Sequence, residues 1–185
     1  MKIDYSLDSE NHLQHYLIER SQKGDRKAQG ELYHLYVKNM YNICRRMMGN
    51  DDDASDVLQD AFVHAFSKLN KLNDKELFPG WLKRIVLNHC IDALRKRKQF
   101  EMFENKEVED EGNENSDWSG YQIKRILKAM DNISVGYRTV LNLYVFEGYD
   151  HQEISEILNI STSTSRAQYS KAKEKIRQVL SINVN

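Results

Sequence analysis

The stretch GYDHQEISEILNISTSTSRAQ, residues 148–168, decides how the C-terminal half of the chain folds. Asp150 followed three residues later by Glu153 is a capping box, in which the aspartate accepts first-turn N–H groups and the glutamate reaches back to the cap. Ile154, Ile157 and Leu158 then form a short apolar stripe, and Asn159 suits the left-handed position that ends a helix. Ile160 is expected as a buried turn residue and Ser161 as the N-cap of a second helix running from Thr162 to about Leu180. That helix opens on small polar residues, Ser163, Thr164 and Ser165, then Arg166 and Gln168, and continues through Lys171, Lys173, Lys175 and Arg177. A short helix, a tight turn and a second helix with a small, polar start is the geometry that enters a DNA major groove. Serine and threonine permit close approach, while arginine and glutamine pair with base edges. The lysines behind them can neutralise phosphates. The bland counterpart is a solvated surface helix hairpin; the coincidence of cap, turn, polar start and basic stripe favours the DNA-binding one.

Upstream, the same helical periodicity recurs. A first helix is predicted from about Asp8 or Ser9 to Lys23, with Leu13, Tyr16, Leu17 and Arg20 on one side and Gly24 as its stop. Asp25 caps a second helix reaching Met48, with Ala28, Leu32, Leu35, Tyr36, Ile43 and Met47 at three- and four-residue steps and Gly49 at its end. Asp51, Asp52 and Asp53 place negative charge at the positive end of a third helix, whose stripe is Val57, Leu58, Ala61, Phe62, Ala65, Phe66 and Leu69. A short polar connection, Asn70 to Glu76, leads to a fourth helix containing Trp81, Leu82, Ile85, Val86, His89 and Leu94, with Pro79 in its first turn. Periodicity stops at residues 99–118 and returns at Tyr121, Ile123, Ile126, Leu127 and Met130, and again from Val135 to Tyr144. The expected fold is therefore all-α: two small helical domains, residues 8–98 and 119–182, joined by a flexible linker, 99–118.

Composition supports helices and removes several functions. Eight glycines and one proline in 185 residues are too few breakers for a many-stranded fold. No apolar run approaches the ~18 residues of a membrane span, and the polar start MKIDYSLDSE is unlike a signal peptide, so a cytoplasmic location is expected. Cys44 and Cys90 lie inside apolar helical patterns and read as reduced core thiols. His12, His15, His34, His64, His89 and His151 show no metal-site spacing and read as scattered surface or helix-face residues. There is no Gly-rich phosphate loop and no nucleophile–His–acid grouping, so neither an enzyme nor a metal, cofactor or small-molecule substrate is expected.

Charge is strongly segregated. The chain total is −1, but residues 101–117 hold eight carboxylates against the single Lys106, a net −7, which leaves +6 for the rest. Much of that excess lies in Arg95, Lys96, Arg97 and Lys98 and on the last helix. A near-neutral total thus conceals two basic faces and one acidic tether.

The C-terminal stretch Ile133-Ser134, Tyr137 to Tyr144, Glu147-Gly148-Tyr149, Gln152-Glu153-Ile154, Ile157-Leu158, Ile160-Ser161 and Thr164-Ser165-Arg166 resembles region 4 of extracytoplasmic-function (group IV) sigma factors. Alone it also fits other two-helix DNA-binding modules. Asp53 to Phe66 resembles region 2.2 of the same family, and Trp81 to Asn88 with Asp92 to Lys96 resembles its regions 2.3 and 2.4. Order, spacing and length agree over nearly the whole chain after about residue 12. Two departures stand out: Ile133-Ser134 where members usually have Leu-Pro, and Asn159 where glycine is frequent.

The resemblance implies an alternative sigma factor that binds core RNA polymerase and directs promoter-specific initiation. Region 2 would dock on the β′ clamp helices through Asp56, Gln59 and Asp60 of the third helix, and region 4 on the β flap. The −10 element would be read and opened by Asn73, Asp74 and Lys75, in the loop that in the family captures a flipped base, and by Arg84, Asn88 and Arg95 on the fourth helix. Trp81 fits either base stacking or core packing. The −35 element would be read by Arg166 with Ser163, Thr164 and Gln168, while Lys171 and Lys173 hold phosphates. An anti-sigma factor, typically membrane-anchored in the family, is a further implied partner.

Three rivals have distinct signatures. An enzyme lacks any supporting residue group. A conventional repressor or activator would bind its operator through residues 119–182 without polymerase, and an interaction adaptor would leave the recognition helix unexplained. In related factors the linker passes through the RNA exit path. The 20 residues of 99–118 reach at most ~66–72 Å, enough to separate two promoter-reading modules. Its carboxylates either mimic RNA in a basic channel or merely solubilise a tether. Neutralising them is expected to alter initial transcription and promoter escape in a reconstituted assay in the first case, and to change neither in the second.

Overall fold

The computed structural model describes residues 5–101 and 118–182, and every regular element among them is helical. The acidic residues 102–117 lie outside the described residues. The chain divides into two compact units, residues 1–45 with 51–93 and residues 46–50 with 94–185.

The first unit is built from α1 (Tyr5–Gln22), α2 (Arg26–Met48) up to Arg45, α3 (Asp51–Lys68) and α4 (Phe78–Glu101) up to Ala93. Its helix ends follow from local chemistry. Gly24 and Gly49 stand at φ +84 and +86, the left-handed region in which a β-carbon would be strained, and they stop α1 and α2. Asp25 accepts hydrogen bonds from the N–H groups of Lys27 (2.9 Å) and Ala28 (3.2 Å), which hold its carboxyl below the ordinary value, with Arg20 adding to the effect. α3 opens on Asp51, Asp52 and Asp53 and buries Ala54, Val57, Leu58, Ala61, Phe62 and Ala65, as its stripe predicts.

Aromatic contacts knit these helices. The Phe62 ring meets Tyr33 edge-on at 4.7 Å, and Phe78, at the start of α4, lies 5.2 Å from Tyr36 and 5.9 Å from Trp81. Leu82, Val86 and Cys90 extend the buried line along α4, and the Sγ atoms of Cys90 and Cys44 lie 3.8 Å apart as unbridged thiols.

The buried face of α1 differs from the expected one. Leu17 and Ile18 are buried, whereas Leu13 and Tyr16 are exposed and Tyr16 accepts a hydrogen bond from Arg20 (2.8 Å). The inward face runs through Gln14, Leu17, Ile18, Ser21 and Gln22, and of its polar members Gln14 and Gln22 donate to backbone carbonyls of Leu69, Leu72 and Lys75. Leu35 of α2 is likewise exposed. Elsewhere the boundaries shift modestly: α1 begins at Tyr5, α4 continues to Glu101 and α5 begins at Trp118, so both helices run into the stretch read as linker.

The second unit contains α5 (Trp118–Asp131), α6 (Val135–Leu141), a wide π turn (Asn142–Phe146), α7 (His151–Leu158) and α8 (Thr162–Ile182). The long α8 packs against α5, α6 and α7. Met130, Ile133, Leu141 and Ala172 form the centre of its core, with Leu127, Tyr137, Tyr169 and Ile176 packed around them. The helix expected to run through Tyr144 instead gives way to the π turn after Leu141, where the N–H of Glu147 reaches the carbonyl of Asn142 (3.1 Å). The extra residue per turn keeps Leu143 buried and leaves Tyr144, Val145 and Phe146 partly exposed.

Leu82 is wholly buried and Leu77, five residues earlier, is exposed. Leu82→Ala is expected to destabilise the protein by about 2–5 kcal/mol, and Leu77→Ala by no more than about 0.5 kcal/mol, measured by urea denaturation.

Candidate nucleic-acid and polymerase interfaces

In the second unit the turn between α7 and α8 is built as the sequence predicts. Asp150 accepts the N–H groups of Gln152 (2.7 Å) and Glu153 (2.8 Å), and the Glu153 carboxylate accepts the N–H of Asp150 (2.8 Å). Asn159 stands at φ 54, ψ 52, and the N–H of Ile160 closes back on the carbonyl of Ser155 (3.0 Å). Ile160 is half-buried rather than buried. Ser161 caps α8 by accepting the N–H of Thr164 (3.0 Å), and its hydroxyl also lies 2.8 Å from those of Ser163 and Thr164.

From there α8 presents two faces. Ser165, Tyr169, Ala172 and Ile176 turn inward, and Ser163, Thr164, Arg166, Lys171 and Lys173 are exposed. Gln168 departs from the outer group: it is half-buried, and its amide lies 3.7 Å from where a β-carbon on Gly136 would sit, so it faces α6. Lys173 holds its ammonium 4.5 Å from the centre of the Tyr169 ring. Ala167 and Ser170, not singled out from the sequence, are exposed beside Arg166. A helical period counted from Ser163 finds them, where a linear run of polar residues does not.

In the first unit the connection between α3 and α4 is more ordered than its polar sequence suggests. It holds two 3₁₀ turns, Leu69–Lys71 and Lys75–Leu77, with Asp74 capping the second through the N–H of Glu76 (3.0 Å). α1 fastens it from the side. The Gln22 amide donates to the carbonyls of Leu69 (3.0 Å) and Leu72 (2.9 Å), and the Gln14 amide donates to that of Lys75 (3.3 Å). Lys75 pairs with Glu19, and this contact holds the Glu19 carboxyl below its ordinary value. Asn73 and Asp74 remain exposed. On α4, Trp81 is half-buried against Phe78, and Arg84 and Asn88 are exposed one turn apart on the same side; Arg95, which belongs to the second unit, is exposed and donates to the carbonyl of Ile157 (3.0 Å).

α3 turns Asp56, Gln59 and Asp60 outward, and Val63 stands among them at 63% exposure. His64 and His89 are not scattered: Nδ1 of the first lies 2.9 Å from Nε2 of the second. Among the described residues no group of three or more His, Cys, Asp or Glu could hold a metal ion.

Residues 32–100 match the family model of sigma-70 region 2, and residues 123–176 match that of sigma-70 region 4. The chain belongs to the sigma-70 family, in its extracytoplasmic-function group. Its relatives include the ECF RNA polymerase sigma factor SigW of Bacillus subtilis, 29% identical over 180 residues, which cover 88% of this chain and 94% of SigW. The ECF RNA polymerase sigma-E factor of Haemophilus influenzae is 25% identical over 173 residues, 86% of this chain and 91% of that one. Among solved structures, the sigma factor RpoE in complex with the anti-sigma factor NepR from Bartonella quintana shares the fold, with a TM-score of 0.59 at 18% identity over 83% of this chain and 96% of that one. CnrH in complex with the cytosolic domain of CnrY does so with a TM-score of 0.52 at 22% identity, over 92% and 98% of the respective chains.

Within this sigma factor the region 2 match covers the first unit from Leu32 onward, and the helix-turn-helix lies within the region 4 match. Gln14, Glu19 and Gln22 of α1 precede the matched segment; the two glutamines act on backbone carbonyls and Glu19 on Lys75, contacts that no motif marks.

In region 4 the two ends of α7 give a direct test. Asp150→Ala is expected to cost about 1 kcal/mol by orphaning first-turn N–H groups. Asn159→Ala is expected to cost roughly 1 kcal/mol at the left-handed position, whereas Asn159→Gly is tolerated; thermal unfolding distinguishes the three.

Proposed function

We propose that this sigma factor binds core RNA polymerase and brings it to promoters by reading a −10 element with region 2 and a −35 element with region 4. The observation that carries the proposal is the presence, in one chain, of a capped helix-turn-helix and an upstream region 2 match. A regulator that binds an operator by itself needs only the first. A sigma factor needs both, because region 2 supplies the surface for polymerase and the groups that hold opened DNA.

Residues take the following roles. Asp56, Gln59 and Asp60 on α3 meet the β′ clamp helices, and the exposed Val63, a turn further along the same helix, adds an apolar contact that water-exposed carboxylates cannot. Asn73 and Asp74 line the base-capturing loop, while Lys75 serves chiefly to hold that loop on α1 through Glu19. Arg84, Asn88 and Arg95 follow the strand along α4. Extruding a base costs a few kcal/mol of stacking, so a loop already anchored by Gln14 and Gln22 avoids a second ordering cost when DNA arrives. In region 4, Arg166 is the leading base reader, with Ser163, Thr164, Ala167 and Ser170 beside it; Ala167 can meet a thymine methyl. Lys171 and Lys173 take phosphates, and Gln168 serves packing against α6 more than reading.

Region 2 is assigned to residues 8–98 and region 4 to 119–182. An anti-sigma factor is the expected regulator, in keeping with the complexes formed by RpoE and CnrH. Among the described residues no helix is long and apolar enough to cross a membrane, and the work proposed here is done in the cytoplasm with the polymerase.

Transcription in vitro is the decisive measurement. Core polymerase should initiate at specific promoters only when this chain is added, and the chain alone should bind duplex weakly; tight operator binding without polymerase would favour a conventional regulator. Within that assay, Arg166→Ala is expected to cost roughly 1–3 kcal/mol and relax −35 base preference, while Lys171→Ala weakens all sequences alike. Equal losses on every −35 variant for both substitutions would remove this division of roles.

A further inference from the structure

Ser165 is completely buried, and a buried hydroxyl needs a partner. Its partner is His151, whose Nδ1 lies 2.9 Å from the Ser165 Oγ. His151 is the first residue of α7, and Ser165 stands on α8 directly before Arg166. The imidazole is held on its other sides as well. Tyr144, from the π turn, stacks on it at 4.6 Å and 19°, and Tyr169, from α8, meets it edge-on at 5.7 Å while packing against Tyr144 at 4.6 Å. One ring thus joins three elements that the chain connects only through short turns.

We infer that His151 is a positioning residue for promoter reading: through Ser165 it sets the angle at which α8 leaves the turn, and so where Arg166 meets the bases. The inference rests on the proposed −35 role of α8. The turn itself is a few residues around one left-handed asparagine, the kind of connection about which two helices can rock. The tie from the start of α7 to α8 closes a triangle with that turn and removes the rocking freedom. Base-edge hydrogen bonds tolerate displacements of about half an ångström, whereas lysines on flexible stems follow a displaced phosphate. Losing the tie should therefore harm sequence discrimination more than overall DNA binding.

Histidine suits the position because Nδ1 lies close to the backbone. Asparagine places a polar atom at a similar reach, so His151→Asn keeps the hydrogen bond and gives up the stacking. His151→Phe does the reverse, and Ser165→Ala removes the hydroxyl alone.

The test uses holoenzyme assembled from core polymerase and the full chain. It compares initiation from a promoter selected by the wild-type protein with initiation from the same promoter carrying a scrambled −35 element. His151→Phe and Ser165→Ala are expected to lower the ratio of the two by about fivefold, the equilibrium worth of one neutral hydrogen bond. Initiation on the scrambled promoter and affinity for core polymerase should stay within about twofold of wild type, and His151→Asn should keep the ratio within the same margin. An unchanged ratio in His151→Phe and Ser165→Ala overturns the inference, and so does a loss in His151→Asn as large as in His151→Phe. Equal losses on both promoters, or a fall in thermal midpoint large enough to account for them, would assign the tie to stability alone and overturn it too. A wild-type protein indifferent to the scrambled element would overturn the −35 reading itself, and this inference with it.

Discussion

Region 4 depends on α8 serving two solvents at once. One face must be apolar and small enough to settle among α5, α6 and α7, and the other must stay polar and bare. Ala172 and Ser165, both wholly buried, let the backbones approach, and Tyr169 and Ile176 fill the space beside them. Because a helix has only about 3.6 residues per turn, each residue given to the core removes one from the surface that can meet DNA. Gln168 is the residue caught by this rule: its chemistry suits an adenine edge, but its place on the helix turns it toward Gly136.

Region 2 solves a related problem with glutamine. The polar loop between α3 and α4, left alone, would explore many conformations. The amides of Gln14 and Gln22 give three of its carbonyls fixed donors, and the Glu19–Lys75 pair adds a charged clasp. The loop's Asn73 and Asp74 side chains thus stay exposed while three of its carbonyls are already satisfied by α1.

Most of the fold was legible because it is written in period and punctuation. The stripe of α3, the glycines after α1 and α2, the capping box at Asp150 and the left-handed Asn159 each have a local cause that the local sequence contains. What escaped were matters of direction and of distance along the chain. Leu13 and Tyr16 share a helical spacing with Leu17, but the true inward face includes Ile18 and Ser21 and carries Gln22, whose amide meets carbonyls some 50 residues away. The π turn after Leu141 inserts a residue without any glycine or proline to announce it. His151 looked like any surface histidine, because the hydroxyl and two aromatic rings that surround it come from other elements.

The paired thiols of region 2 have a practical consequence. Cys44 and Cys90 lie on different helices, with their sulfurs in contact and no surface open to water. A reagent as small as iodoacetamide can reach either one only when α2 and α4 part. The rate at which these two sulfurs are alkylated therefore reports opening of the bundle: its frequency where the reagent traps faster than the helices reclose, and the open population where it does not.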